Sequence, residues 1–304
     1  MAEPEQHDQQ IIVNPLLGDR VVQTPGRMNR REGATDCPFC ADIASGRWPA
    51  GQETWARPND FPPMRPPVGE CLVLLYTRDH NTRFAQVDAN GTAAVVDLWQ
   101  QVYADLSARY ACVMTFENSG TAIGQTQYHP HGQTYGVSFL PPLIERELAH
   151  MVAHHYAYNT CLACDLIAEE ANGPRKVIET PAWLGFIPQW ARYPYEVHLY
   201  ARSHVANLGA LARGGSEARQ LGQALVTVLR AYDSVVQEEM PYMLVIHQLA
   251  DERYHLHVEL LPVARSPGKL KYAASAESGF GLWLNDALPE VKAQELRAAI
   301  EAGG

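Results

Sequence analysis

The chain is poor in everything that would tie it to a membrane or a nucleic acid. No run of about eighteen apolar residues occurs in its 304 positions, so no segment reads as a spanning helix. Met1 to Gln10 is polar and acidic, without the basic start and apolar stretch of a secretory leader, which gives the expectation of a cytoplasmic protein. Positive charge is in deficit: 24 basic residues stand against 34 acidic ones, a formal charge of -10. That balance excludes broad electrostatic attachment to nucleic acid and leaves room only for a local arginine cluster on phosphates. Cysteine is scarce too. Four of the six form two Cys-x-x-Cys pairs, which favour a metal over disulfides, and Cys71 and Cys112 sit in apolar runs as core thiols. With 46% hydrophobic and 19% charged residues, what remains is the balance of a soluble globular enzyme.

Two stretches of the chain follow one plan. Ile11 to Gln23 reads as a strand, a turn and a strand ahead of them. After Cys37-Pro38-Phe39-Cys40 come a strand from Glu70 to Tyr76, His80, an amphipathic helix from Ala89 to Arg109, a strand from Ala111 to Phe116, and His129-Pro130-His131. After Cys161-Leu162-Ala163-Cys164 come a strand from Tyr195 to Tyr200, His204, a helix from Glu217 to Val236, a strand from Tyr242 to His247, and His255-Leu256-His257. The spacing agrees closely: 40 residues separate Cys40 from His80 and Cys164 from His204, and 49 and 51 separate those histidines from His129 and His255. The agreement implies duplicated modules.

His129-Pro130-His131-Gly132-Gln133 is the stretch with the most chemistry. In an extended His-Pro-His both imidazoles leave the same face, so one ring can be an anchor while the other stays reactive. Gly132 would let the backbone approach a phosphate, and the Gln133 amide returns to the reactive face as a donor. The second copy has Val258-Glu259 in place of Gly-Gln, so His257 is not expected to be a nucleophile.

Phe116-Glu117-Asn118 followed by this stretch resembles galactose-1-phosphate uridylyltransferase, the transferase branch of the histidine-triad superfamily. The resemblance implies an α+β fold of tandem histidine-triad (HIT-like) modules, each an antiparallel sheet with a packed helix, over residues 1–150 and 151–304. It implies His131 as a nucleophile, fixed by a main-chain carbonyl, that carries UMP from UDP-glucose to galactose 1-phosphate with ping-pong kinetics, assisted by Gln133. Arg27 and Arg30 are implied on substrate phosphates, where the residues alone also fit a solvated basic loop. Asn118 and Thr126 are implied at the nucleotide phosphates, and Asn59 and Asp60 at base and ribose, unless these last form an ordinary turn. Lys271 and Glu277 are implied at the hexose phosphate and the sugar hydroxyls, from a segment that in the family reaches the partner subunit of a homodimer. Gln125-Thr126-Gln127-Tyr128 departs from the best-known members, so base and sugar specificity rest on less than the reaction type does.

Cys37, Cys40, His80 and His129 offer two thiolates and two imidazoles, a closed tetrahedral set for structural zinc. The second half admits two readings: zinc at Cys161, Cys164, His204 and His255, which the duplication favours, or iron at Glu147, His247, His255 and His257, as in other uridylyltransferases. The rivals to uridylyl transfer are a nucleotidyl-histidine enzyme using another sugar nucleotide, such as an ADP-glucose phosphorylase, and a zinc-stabilised nucleotide-binding protein without catalysis.

Overall fold

The computed structural model describes residues 9–24 and 37–303. A hairpin of β1 (Gln10–Val13) and β2 (Arg20–Gln23) comes first. The first half then runs α1 (Pro38–Ala44), β3 (Trp55–Pro58), β4 (Gly69–Leu75), α2 (Ala89–Ser107), β5 (Cys112–Ser119) and β6 (His131–Val137). After α3 (Pro142–Tyr158), the second half runs α4 (Leu162–Glu170), β7 (Lys176–Glu179), β8 (Trp183–Phe186), β9 (Val197–Ala201), α5 (Ser216–Val236), β10 (Tyr242–His247) and β11 (His257–Pro262). A small hairpin of β12 (Ala264–Ser266) and β13 (Lys269–Leu270), then α6 (Ser275–Phe280) and α7 (Pro289–Gly303), complete the described chain. No helix among the described residues is long and apolar enough to cross a membrane.

The strands from β3 to β11 make one nine-stranded sheet in the order β3-β4-β6-β5-β10-β11-β9-β8-β7, antiparallel at every pairing. Read outward from the centre, β5-β6-β4-β3 is matched by β10-β11-β9-β8, so the sequence repeat is a repeat of topology. The halves do not close separately. β10 pairs with β5 from Tyr242 opposite Ser119 to Ile246 opposite Thr115, and the sheet passes through without a break. Residues 150 and 151, where the sequence modules were expected to meet, lie inside α3.

Side chains alternate across this sheet, and each face has one task. On one face α2 and α5 pack together over Leu74, Val113, Leu244, Val258 and Leu199, a single core fed by both halves. Asp88 caps α2 by accepting from the Gly91 amide at 2.7 Å. In α5, Leu221, Leu225, Leu229 and Tyr232 recur every three or four residues on the buried side. Gly222 lets the two helices touch, since a Cβ there would stand 3.0 Å from that of Thr92. The other face carries Gln133, Phe116, Asn118, His247, His257 and Glu259.

The expected elements form, with two shifted boundaries. The strand expected to end at Phe116 runs on to Ser119, because Glu117, Asn118 and Ser119 pair with β10, a long-range partner that a polar tripeptide does not announce. The strand expected from Tyr195 begins at Val197, because Glu196 Oε2 accepts from the amides of Arg192 at 2.6 Å and Tyr193 at 3.1 Å and bends the chain there.

Because the core is shared, Leu225→Ala is expected to cost about 2–5 kcal/mol and to lower stability in one transition common to both halves. Urea unfolding followed by fluorescence and by far-UV circular dichroism checks this, and two separated transitions would contradict a continuous core.

Candidate active site

The helices α1 and α4 each begin one residue after a cysteine, with Cys37 and Cys161 as N-caps and Cys40 and Cys164 in the first turn. Residues three apart share a helix face, so each pair of thiols leaves one helix end together. Cys40 Sγ lies 3.4 Å from His80 Nδ1 and 3.6 Å from His129 Nδ1, and Cys37 Sγ lies 3.8 Å from His129 Nδ1. The other nitrogen of His129, Nε2, donates to the Thr77 carbonyl at 2.8 Å, which turns the Nδ1 lone pair toward the thiols. Burial, followed by the nearby His80, holds the His129 imidazole below its ordinary pKa and therefore neutral, as a ligand must be. Burial and the neighbouring Cys37 push the Cys40 thiol up, so the paired thiolates call for a cation between them.

The second set repeats this arrangement. His255 Nδ1 lies 3.6 Å from Cys161 Sγ and 3.8 Å from Cys164 Sγ, and Cys164 Sγ lies 3.7 Å from His204 Nδ1. His255 and His204 donate from Nε2 to the carbonyls of Ala201 and Glu252, each at 2.7 Å. Burial, then the Cys161 charge, pushes the Cys164 thiol up to about 12. Both groups could hold a metal ion, with all donor atoms within 4.8 Å of one another.

The alternative set of Glu147, His247, His255 and His257 does not form as expected. Both ring nitrogens of His255 are committed to the cysteine group, and Glu259 takes its place beside Glu147, His247 and His257. The two readings of the second half are therefore two separate groups of side chains.

His131 opens β6, two residues beyond the anchored His129. Its Nδ1 donates to the His129 carbonyl at 2.8 Å, which leaves Nε2 as the nitrogen able to attack. The ring lies against Phe39, centroid to centroid 5.1 Å, on the face of the sheet away from α2 and α5. Gln133 shares that face. Its amide oxygen accepts from the Tyr135 hydroxyl at 2.9 Å and the Asn59 amide at 3.4 Å, which orients its Nε2 as the remaining donor. Phe116 pairs with Gln133 across β5 and β6, and Asn118 follows two residues along the same face. Thr126 lies in the loop between β5 and β6.

The family model described as Galactose-1-phosphate uridyl transferase, N-terminal domain, matches residues 47–141. The galactose-1-phosphate uridylyltransferase of Thermotoga maritima is 31% identical over 311 residues, covering 93% of this chain and 96% of that protein. The chain belongs to the galactose-1-phosphate uridylyltransferase family. The enzyme of that name from Streptomyces lividans is 30% identical, over 91% of this chain and 75% of its own length. Among solved structures, a uridylyltransferase superposes with a TM-score of 0.86 at 27% identity, covering 97% of this chain and 99% of its own. An ADP-glucose phosphorylase from Arabidopsis thaliana shares the fold, with a TM-score of 0.76 at 18% identity, covering 95% of this chain and 99% of its own.

Several expected residues of this family site have other immediate partners. Asp60 pairs with Arg57, which is buried between it and Asp42. Asn59 does both things expected of it: its Oδ1 closes a turn by accepting from the Phe61 amide at 2.9 Å, while its amide reaches Gln133. Lys271 and Glu277 are buried 3.6 Å apart, and Lys271 donates to the Leu284 carbonyl. Their printed contacts are within the C-terminal segment. Arg27 and Arg30 lie outside the described residues.

Gly132 faces away from the reactive side. A Cβ there would stand 2.1 Å from the Tyr76 hydroxyl and 3.0 Å from the Phe116 carbonyl oxygen. Its smallness serves packing behind the strand, which corrects the expected role of admitting a phosphate.

The second copy is sealed. His257 is buried and stacks against Tyr200 and His247, each at 4.7 Å between centroids. Glu259, at the place of Gln133, accepts from Arg192 at 2.5 Å, and Arg192 also reaches Glu196 at 2.9 Å. Burial alone would raise Glu259, but His198, His247 and Arg192 around it hold its carboxyl below the ordinary range. Glu196, His198 and Arg192 were not singled out in the sequence, since nothing local signals that they meet; only the arrival of Glu259 in place of a glutamine hinted at it.

Two outcomes are expected. Cys37→Ser lowers the bound metal, read by elemental analysis, whereas His131→Gly leaves it unchanged; equal loss in both would contradict the division between anchor and reactive histidine. Arg192→Ala leaves buried carboxylates uncompensated and is expected to cost about 3–5 kcal/mol in urea unfolding.

Proposed function

We propose that the protein exchanges UMP between UDP-glucose and galactose 1-phosphate by double displacement at His131. The observation that carries this is the 2.8 Å hydrogen bond from His131 Nδ1 to the His129 carbonyl, because it presents Nε2 from a strand whose neighbouring histidine is anchored. The Nε2 lone pair attacks the α-phosphorus of UDP-glucose. A P–N bond forms, and the P–O bond to glucose 1-phosphate breaks. Galactose 1-phosphate then attacks the same phosphorus, the P–N bond breaks, and UDP-galactose leaves. The departing group is a stable phosphate at neutral pH, so positioning and hydrogen-bond donors carry the catalysis and a strong general acid is not needed.

Gln133, oriented through its amide oxygen, is assigned to donate to a phosphoryl oxygen. Asn118 and Thr126 are assigned to the nucleotide phosphates, Arg27 and Arg30 to substrate phosphates, and Asn59 and Asp60 to base and ribose. Lys271 and Glu277 are assigned to the hexose phosphate and sugar hydroxyls of a homodimer. Zinc suits Cys37, Cys40, His80 and His129, and again Cys161, Cys164, His204 and His255, since soft thiolate with imidazole is its preferred donor set. Its contribution there is structural, a cross-link with no vacant position. The fold reading that accompanies this is a tandem of HIT-like modules, meeting where β5 pairs with β10, in which the matched strand order from the centre outward supports the duplication.

Intact-protein mass spectrometry after mixing the enzyme with UDP-glucose alone is the test. The expected result is a gain of one UMP at His131, discharged by galactose 1-phosphate and absent in His131→Gly. Labelling by ADP-glucose instead would replace the substrate, and labelling by neither would overturn the reading.

A further inference from the structure

Behind the reactive strand, on the face packed by α2, lies a group of buried polar atoms that the transfer reaction does not use. Tyr76 follows β4 directly, and its amide donates to the Pro130 carbonyl at 3.4 Å. Its ring packs against Phe84 at 5.2 Å and Trp99 at 6.0 Å, and its hydroxyl sits where Gly132 has no Cβ. From the adjoining strand Glu117, only 4% exposed, points to the same side, and the Tyr242 hydroxyl donates to its Oε1 at 2.7 Å. Glu117 Oε2 and the Tyr76 hydroxyl are both buried and close no hydrogen bond of normal geometry. Leaving them so would cost the desolvation of both, and a small closure between them removes that cost.

We infer that Tyr76 and Glu117 are positioning residues for the nucleophile: the tyrosine hydroxyl fills the space under Gly132, and a protonated Glu117, held by Tyr242, fixes that hydroxyl by donating to it from Oε2. The peptide between His131 and Gln133 is then set from the side opposite the substrate. A neutral carboxyl suits the place, because it accepts on one oxygen and donates on the other without burying a charge. Burial raises the Glu117 carboxyl to about 7, against the hydrogen bonds with Tyr242 and Tyr76. The titratable groups around it are Tyr76 and Tyr242, with Arg83, Tyr128, Glu238 and Glu239 lining a cavity of about 370 Å3 that Glu117 and Pro130 also border. This cavity gives the carboxyl a path for proton exchange on the rear side.

The inference rests on His131 being the nucleophile, so its test has an arm that does not depend on activity. Gly132→Ala, Tyr76→Phe and the double variant form a cycle, read by Tm and by the rate of first-turnover labelling with UDP-glucose. Gly132→Ala is expected to lower Tm and to slow labelling by on the order of a hundredfold, as displacement of a reacting group does. Adding Tyr76→Phe, which removes the atom in the way, is expected to recover at least roughly tenfold of that rate. The wild-type labelling rate is expected to fall as pH rises past about 7, where Glu117 ionises, and Glu117→Gln is expected to lose that fall.

Labelling by Gly132→Ala at the wild-type rate, no recovery in the double variant, or the same alkaline limb in Glu117→Gln would each overturn the inference. If wild-type protein takes no nucleotide from UDP-glucose or ADP-glucose, the proposed function fails, and the positioning role with it. The Tm cycle then decides the packing alone: recovery supports the Tyr76–Gly132 unit, and no recovery overturns it.

Discussion

Both ring nitrogens of His129 are committed, Nε2 to the Thr77 carbonyl and Nδ1 to two thiols, and this double constraint fixes the start of the strand on which His131 is presented. An imidazole held at both ends cannot rotate, so the carbonyl of the same residue becomes a fixed acceptor. His131 Nδ1 donates to that carbonyl, and its orientation is inherited rather than found by its own packing. The anchor also ties α1 and the His80 loop to the sheet, which seats Phe39 against the reactive ring. Removing the anchor would loosen all of these at once.

Duplication supplied two such anchors and one reactive face. The His255 carbonyl accepts from His257 Nδ1 at 2.9 Å, the counterpart of the bond that sets His131. What differs is the surroundings. In the first copy a glutamine leaves a neutral donor on the open side. In the second a glutamate in the corresponding place draws in Arg192, and three buried histidines and further carboxylates close over it. One change from amide to carboxylate thus accompanies the conversion of a site into a core of paired charge. Such a core costs desolvation that only full pairing offsets.

The continuous sheet relates the two copies mechanically. Because β5 pairs with β10, Asn118 on the reactive strand lies opposite Met243, and Glu117 on its rear meets Tyr242 from the other half. The nucleophile strand is therefore braced by the module that has lost its own chemistry. The Arg57 pairs with Asp42 and Asp60 brace the outer side in the same way.

The sequence by itself determined the repeat, the Cys2His2 groupings, the main strands and helices, and the placing of His131 beside an anchor, because each of these is written in spacing or in local periodicity. Two rings in His-x-His share a face whatever surrounds them, and Cys-x-x-Cys at a helix start brings its sulfurs together within one turn. Only the tertiary structure decided that His255 belongs with the cysteines and Glu259 with Glu147, that Gly132 is small for the sake of Tyr76, and that Glu117 to Ser119 continue a strand. Those outcomes depend on which residues meet across strands or from a helix a hundred positions away, and no local pattern carries that register.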